Sequence, residues 1–368
     1  MRDKQGSQHI AALDGIRGLA VILVFVFHAA NVNAAQTPLT ATPGPVAGFL
    51  HAIASRGWIG VDLFFVLSGY LITGILLRAK DAENYYQVFY ARRALRILPL
   101  YYVVMFGLIA MSAHRPPISS QIWFWFNLSN FPTAFHPALI PALSHYWSLA
   151  IEEQFYLLWP AMVRRFNEKI LIRICLGAIA GCLVLRNLPI VLAWNQHWPD
   201  FIYRLTPFRI DTLCAGALLA ILIHQGVSLD RFRGYLRIAC LAGGTVLGIS
   251  LFAGTNSNLP VRLGYTGSVF CFTALIALAL DPASLTAKIF RNAFLRRMGW
   301  YSYCFYLIHV DLLSHDRGLT QRLAGLHLTF ANVELNQLVL NCVAFAVTFG
   351  VCAASFKFFE SPILGLKR

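Results

Sequence analysis

The feature that most limits how this chain can fold is the recurrence of long apolar runs, from residue 18 to residue 359, with few charges inside them. A run of about 20 apolar residues matches the hydrocarbon thickness of a bilayer. In lipid, only helices and closed barrels satisfy every backbone N–H and C=O. Charged residues make up 12% of the chain, against roughly 25% in ordinary soluble domains. Ten spans can be read, near residues 14–33, 59–78, 97–113, 146–163, 170–188, 207–224, 236–254, 262–280, 299–314 and 334–357. The expected fold class is therefore all-α, a polytopic membrane protein with about ten transmembrane helices, and its obligatory partner is the lipid bilayer.

The net charge of +14 suggests nucleic acid until it is placed along the chain. With the N-terminus inside, 22 of the 30 Lys and Arg fall in inner segments and 8 in outer ones. That asymmetry is the positive-inside pattern, so both termini are expected in the cytoplasm and the protein in the plasma (inner) membrane. No nucleic-acid partner is needed to explain the charge. The eight cysteines all lie in expected spans and none forms a C-x-x-C pair, so neither a disulfide framework nor a metal site is indicated. Residues 19–30 followed by Val32-Asn33-Ala34 have the outline of a cleavable leader. Retention is expected, because the segment carries Arg17 and His28. The chain is read as a single membrane domain over residues 1–368, with no appended soluble domain. Two outer loops are long, residues 34–57 and 114–145, and the second carries Trp123, Trp125, Phe126, Phe131 and Phe135, which suits an interfacial or re-entrant helix.

Function is sought in the ionisable residues that interrupt the apolar runs, because such groups are expensive in lipid and face a partner or a polar cavity. In LDGIRGLAVILVFVFHA, residues 13–29, Arg17 and His28 are eleven residues apart. That spacing puts them on one helix face about 16 Å apart along the axis. The second span, GVDLFFVLSGYLIT, holds Asp62 near its outer end and Ser68-Gly69 near mid-membrane. Gly69 suits close helix packing, whereas Ser68 suits a cavity wall. Arg93 and Arg96 precede ILPLYY and are neighbours on a helix, able to clamp a phosphate or to act as snorkelling anchors. The fourth span, HYWSLAIEEQFYLLWP, buries Glu152 and Glu153, with Ser148, Glu152 and Tyr156 on one stripe. Glu152 reaches nearly the depth of His28, which suggests a carboxylate orienting an imidazole base. Arg209 and Asp211 are two apart and should seek different partners. Tyr303, Tyr306 and His309 lie inside the ninth span, and Glu360 closes the last.

Taken in order, LDGIRGLA with its following Phe-His, GVDLFFVLSGYLIT, the R-x-x-R of Arg93 and Arg96, YWSLAIEEQFYLLWP, FRIDTLCAGALLA, SYCFYLIH and the closing E-x-P of Glu360 resemble the acyltransferase-3 family of integral membrane O-acyltransferases. The resemblance runs from about residue 11 to residue 362. Two departures are Tyr70, where Phe is more usual, and Cys304-Phe305, where Pro-Leu is often found before Tyr-Leu-His. The resemblance implies about ten spans and transfer of an acyl group, commonly acetyl from acetyl-CoA, to a glycan or small-molecule hydroxyl. Some family members carry an SGNH-type domain, and none is expected in this chain. Residue by residue, the resemblance matches Arg17 and His28 to the family's first-span pair, Arg93 and Arg96 to its R-x-x-R, and Glu152 or Glu153 to the acidic position after Trp147.

The expected scheme follows. Arg93 and Arg96, with Arg17 deeper in, hold the phosphates of the acyl-CoA donor, which is a substrate rather than a resident cofactor. His28, oriented by Glu152 or Glu153, is the general base or a transient acyl carrier. Asp62, Ser68, Trp147, Ser148, Arg209, Asp211, Tyr306, His309 and Glu360 are candidate substrate-contacting or structural polar residues. The acceptor is a hydroxyl on a cell-surface or exported glycan. The competing readings are acylation of a small molecule such as a macrolide, a secondary transporter or flippase that uses the same Arg, His and Glu residues, and a non-catalytic partner subunit of a glycan-assembly complex. The oligomeric state is not legible in the sequence.

Overall fold

A computed structural model describes residues 10–34, 45–112, 116–137, 139–191, 198–253, 259–325 and 333–366. Residues 35–44 of the first long loop lie outside the described residues, as do Arg2 and Lys4 and the closing Lys367-Arg368. Among the described residues there are helices and turns and no strand, the all-α outcome that the apolar runs require.

In chain order the helices are α1 (Ala11–Ala34), α2 (Pro45–Ala54), α3 (Ile59–Arg78), α4 (Tyr85–Met111), α5 (Ile118–Trp125), α6 (Asn130–Phe135), α7 (Trp147–Arg165) and α8 (Glu168–Val191). They continue with α9 (Trp198–Arg204), α10 (Ile210–His224), α11 (Arg233–Phe252), α12 (Tyr265–Ala279), α13 (Leu285–Phe290), α14 (Ala293–Gly325), α15 (Val333–Ser355) and α16 (Ser361–Gly365). Short 3-10 turns lead into α7, α10 and α11, and π-helical turns lead into α12 and α16.

Six segments among the described residues are long and apolar enough to cross a membrane: Ala11–Asn31, Gly48–Arg78, Tyr85–Met111, Asp230–Phe252, Pro260–Ala279 and Leu338–Gly365. The chain is thus a polytopic membrane protein by length and composition. The four remaining expected spans coincide with α7, α8, α10 and α14. Helix α10 has 15 residues, α7 carries Glu152, Glu153, Arg164 and Arg165, α8 carries Lys169, Arg173 and Arg186, and α14 carries Arg296, Arg297 and Asp311. The expected interfacial segment in the second long loop is helical as α5 and α6, with Trp123, Phe126, Phe131 and Phe135 exposed.

Small residues set the packing of the central helices. A Cβ on Gly69 of α3 would meet the Leu213 carbonyl oxygen of α10 at 1.9 Å, and one on Gly216 would meet the Val66 carbonyl oxygen at the same distance. The two backbones therefore touch, as glycine permits between membrane helices, and Gly69 serves the packing role expected of it. Asp62 meets Arg209 at one end and Gly69 meets Leu213 further along, so α3 and α10 run parallel. Helices α1 and α14 are parallel too: Gly299 abuts the Asp14 carbonyl at one end, and His309 meets His28 further along. Parallel pairing of these helices is the orientation that the expected spans assign to the first and ninth segments, and to the second and sixth.

Candidate active site

Helices α1, α3, α4, α7 and α14 enclose a polar cavity with about 840 Å³ of empty space, its open mouth included. Three guanidiniums line it, Arg17 from the start of α1 and Arg93 and Arg96 from the first half of α4. Glu152 and Glu153 of α7 face the same space, together with Ser68, Ser148, Tyr156, Tyr303 and Tyr306. These residues come from five different helices, so tertiary packing brings them together.

The cations are differently held. Arg17 lies 3.8 Å from Asp14, whose second oxygen accepts from Trp300 Nε1 at 3.1 Å. Arg93 stacks over the rings of Tyr156 at 5.4 Å and Phe89 at 5.9 Å. Neither Arg93 nor Arg96 forms a salt bridge among the described residues, which leaves two guanidinium forks facing a cavity and ready for an anion. Glu152 accepts from Ser68 Oγ at 2.8 Å and from Tyr156 Oη at 3.1 Å. The single proton of Tyr156 Oη is shared with Ser68 Oγ, 2.9 Å away, so Ser68, Glu152 and Tyr156 form one small hydrogen-bonded group. Glu153 has no hydrogen bond or ion pair among the described residues.

Those bonds correct one expectation. Similar depth suggested that Glu152 or Glu153 orients His28, but Glu152 is engaged by Ser68 and Tyr156, and the wall of this cavity does not include His28. The imidazole stands among other imidazoles. His28 Nδ1 lies 2.9 Å from the Val24 carbonyl and 3.1 Å from His309 Nε2. His309 Nδ1 is 2.8 Å from the Tyr306 carbonyl and 3.0 Å from that of Phe305. His145 Nε2 is 2.9 Å from the same Tyr306 carbonyl, and its ring centre is 5.1 Å from that of His309. His28 and His309 are thus hydrogen-bonded to each other, whereas His145 joins them only through the shared Tyr306 carbonyl.

Tyr306 joins the two regions. Its hydroxyl lies at the cavity wall, 2.5 Å from Ser148 Oγ and 3.0 Å from the His145 carbonyl. Its own carbonyl receives both His145 and His309. Ser148 and Tyr306 thus close the cavity on the side of the histidines.

Asp62, Trp147, Arg209 and Asp211 lie apart from the cavity, in a buried ionic cluster. Arg209 donates to Asp62, whose other oxygen accepts from Ser268 Oγ at 2.6 Å. Asp211 pairs instead with Arg186 at 2.7 Å, so residues two apart do take different partners. The Arg209 guanidinium lies 4.3 Å from the Tyr265 ring centre and 5.6 Å from that of Trp147. All four charged groups are at most 1% exposed, and the cluster ties α3, α8, α10 and α12 together. Glu360 also stands outside the cavity wall, where its carboxylate accepts from Ser355 Oγ at 3.2 Å.

Two residues were not singled out from the sequence. His145 precedes the fourth span and reads as a boundary residue, and Arg186 reads as an outer-side charge. Each is buried, at 3% and 1% exposure. A signal was present in both, since each ionisable residue sits directly against an apolar run.

Comparison with known proteins adds the lineage. The family model described as an acyltransferase domain matches residues 10–357. A peptidoglycan O-acetyltransferase, OatA of Listeria monocytogenes, is 30% identical over 97% of this chain and 56% of its own length. The O-acetyltransferase OatA of Staphylococcus aureus is 29% identical over 83% of this chain and 51% of its own. A putative peptidoglycan O-acetyltransferase of Bacillus subtilis, YrhL, is 28% identical over 98% and 55% respectively. The chain therefore spans about half the length of the curated relatives it matches. No solved structure matches it. With the domain match covering nearly its whole length, the chain belongs to the acyltransferase-3 family of membrane proteins.

Proposed function

We propose that this protein is a membrane O-acetyltransferase that moves an acetyl group from cytoplasmic acetyl-CoA to a hydroxyl of a cell-wall or exported glycan. The observation that carries the reading is the cavity lined by Arg17, Arg93 and Arg96, with His28 eleven residues further along α1 from Arg17, outside the cavity wall and beyond Ser148 and Tyr306. About 16 Å separates the two along the helix axis, a distance suited to an extended pantetheine arm. Names of the relatives favour a peptidoglycan acceptor. The charge asymmetry supports cytoplasmic termini in the plasma-membrane setting proposed.

In the scheme, Arg93 and Arg96 hold the donor's phosphates by charge-assisted hydrogen bonds. Neither guanidinium has a carboxylate oxygen within 4 Å among the described residues, although Glu152 and Glu153 lie near Arg93 and Glu360 near Arg96, and that open contact shell supports this role. His28 takes the proton of the acceptor hydroxyl at Nε2. The hydroxyl oxygen attacks the thioester carbonyl, the carbon–sulfur bond breaks, and the proton passes from His28 to the departing thiolate. Acyl transfer through His28 itself is the second route, and it is distinguished by acetyl-histidine in acid-quenched protein.

The test follows labelled acetyl-CoA consumption and acetyl transfer in membrane vesicles. His28→Ala should abolish transfer, and an Arg93→Ala/Arg96→Ala variant should raise the KM for acetyl-CoA. Wild-type behaviour from either variant overturns the scheme.

A further inference from the structure

We infer that His309 is the positioning residue for His28, filling with a neutral imidazole the role that a carboxylate was expected to fill. The inference rests on the reading of His28 as the reacting group and deepens it. It stands on which ring nitrogens can carry a proton. A carbonyl oxygen only accepts, so a ring nitrogen within hydrogen-bond distance of one carries hydrogen. His309 Nδ1 faces the carbonyls of Tyr306 and Phe305 and is therefore the protonated nitrogen. In the neutral ring its Nε2 is then bare, and it accepts from His28 Nδ1 at 3.1 Å. His28 Nδ1 also faces the Val24 carbonyl at 2.9 Å, so its one hydrogen is shared between that carbonyl and His309 Nε2, and both acceptors assign the same tautomer. Both contacts leave the lone pair of His28 on Nε2.

The chain of donors runs one way, from His28 Nδ1 to His309 Nε2 and from His309 Nδ1 to two carbonyls of α14. When His28 Nε2 takes a proton from a hydroxyl, its Nδ1–H bond to His309 becomes charge-assisted and strengthens. His309 holds the resulting imidazolium from a ring that is 0% exposed and itself anchored at its far nitrogen. When the proton leaves Nε2 for the thiolate, the original pattern returns, with no proton gained or lost by the pair.

Nothing comparable holds the third histidine. His145 Nε2 donates to the Tyr306 carbonyl, while its buried Nδ1 has no partner. His309 is thus the member of the cluster bonded to His28, and His145 serves as an internal control.

Two readouts test the inference. The first is the steady-state rate of acetyl transfer by His309→Leu and His309→Gln in vesicles, since the Gln amide oxygen can replace the Nε2 acceptor. His309→Leu should lower kcat by about 100-fold, the scale of a misplaced general base, with the KM for acetyl-CoA nearly unchanged. His309→Gln should recover at least about tenfold of that loss, because an acceptor again faces Nδ1. The second readout is the rate at which diethyl pyrocarbonate carbethoxylates His28, followed by peptide mass mapping. It needs no donor or acceptor substrate and reports the Nε2 lone pair directly. His28 should react in the wild type, about tenfold more slowly in His309→Leu, and near the wild-type rate in His309→Gln.

An unreactive His28 in the wild-type protein overturns the inference, as does an equal rate in His309→Leu. Equal loss of kcat in both variants with unchanged His28 reactivity assigns His309 a structural role only and also overturns it. If His28→Ala keeps full acetyl transfer while carbethoxylation still depends on His309, the pair stands and the catalytic reading of His28 falls. Size-exclusion profiles of the solubilised variants identify any that fail to fold, and His309→Gln then carries the test.

Discussion

Replacing Asp62 by Ala asks whether the buried ionic cluster is scaffold or chemistry. The change removes the acceptor of Arg209 and of Ser268 Oγ, at 2.6 Å, in one step. Arg209 is 0% exposed, and among the described residues its remaining hydrogen bond would be a long one to the Tyr203 carbonyl, 3.3 Å, beside its ring contacts, the nearest with Tyr265, and the more distant charge of Asp211. Stranding a buried charge in this way costs about 3–5 kcal/mol. At about 2 °C per kcal/mol for a chain of this size, the midpoint should fall by about 6–10 °C. The assay is the fraction of monodisperse, detergent-solubilised protein left after heating, read by fluorescence-detected size exclusion. A double variant, Asp62→Leu with Arg209→Met, should recover most of the loss, because replacing both members of a buried pair with apolar groups is often neutral. Acetyl transfer per folded molecule should stay near the wild-type value in the double variant, since neither residue lines the cavity. A midpoint for Asp62→Ala within about 2 °C of the wild type would refute the argument. So would a double variant as damaged as the sum of the two singles.

Two further outcomes follow from the same geometry. Gly69→Ala should sharply reduce the yield of folded protein, because its Cβ would lie 1.9 Å from a backbone oxygen of α10 and no side chain can yield; folded yield equal to Gly107→Ala, which meets open space, would contradict the packing. Arg96→Ala should weaken acetyl-CoA binding by about tenfold, the worth of one hydrogen bond to a charged group, with a smaller effect on dephospho-CoA thioesters; an unchanged KM would remove Arg96 from the anion site.

Helix positions and helix-packing glycines were legible because each is encoded locally. An apolar run marks where lipid begins, but not where a helix ends. Helix α4 therefore starts at Tyr85 rather than near residue 97, and α14 continues to Gly325 beyond an expected end near residue 314. The divergence of Arg209 and Asp211 was readable from their spacing, whereas the partner Arg186 was not, because it lies on another helix. Arg17 and Glu152 were recognisable as costly residues in lipid, and Arg93 and Arg96 as a basic pair just ahead of a span, and the structure gathers all four around one cavity. The association of His28 with His309 was out of reach. Depth along the membrane is one coordinate, and residues on several helices share it. Which of them faces His28 is decided by the rotation of α7 and α14 about their axes. The parallel packing of α1 against α14 through Gly18 and Gly299 sets that rotation for His309.

Tyr306 gives the two halves of the site a common mechanical part. Its hydroxyl is held by Ser148 at the cavity wall, and its carbonyl is the anchor for His145 and His309. A ligand that enters the cavity and breaks the Ser148–Tyr306 bond acts on a residue whose other end orients two imidazoles. Thermodynamic linkage then runs in both directions: whatever an occupied cavity changes in affinity at the histidines, an occupant at the histidines changes by the same factor in the cavity. One tyrosine would thus couple occupancy of the cavity to occupancy at the histidines without a moving domain, and order-of-addition binding measurements would read that coupling as a free energy.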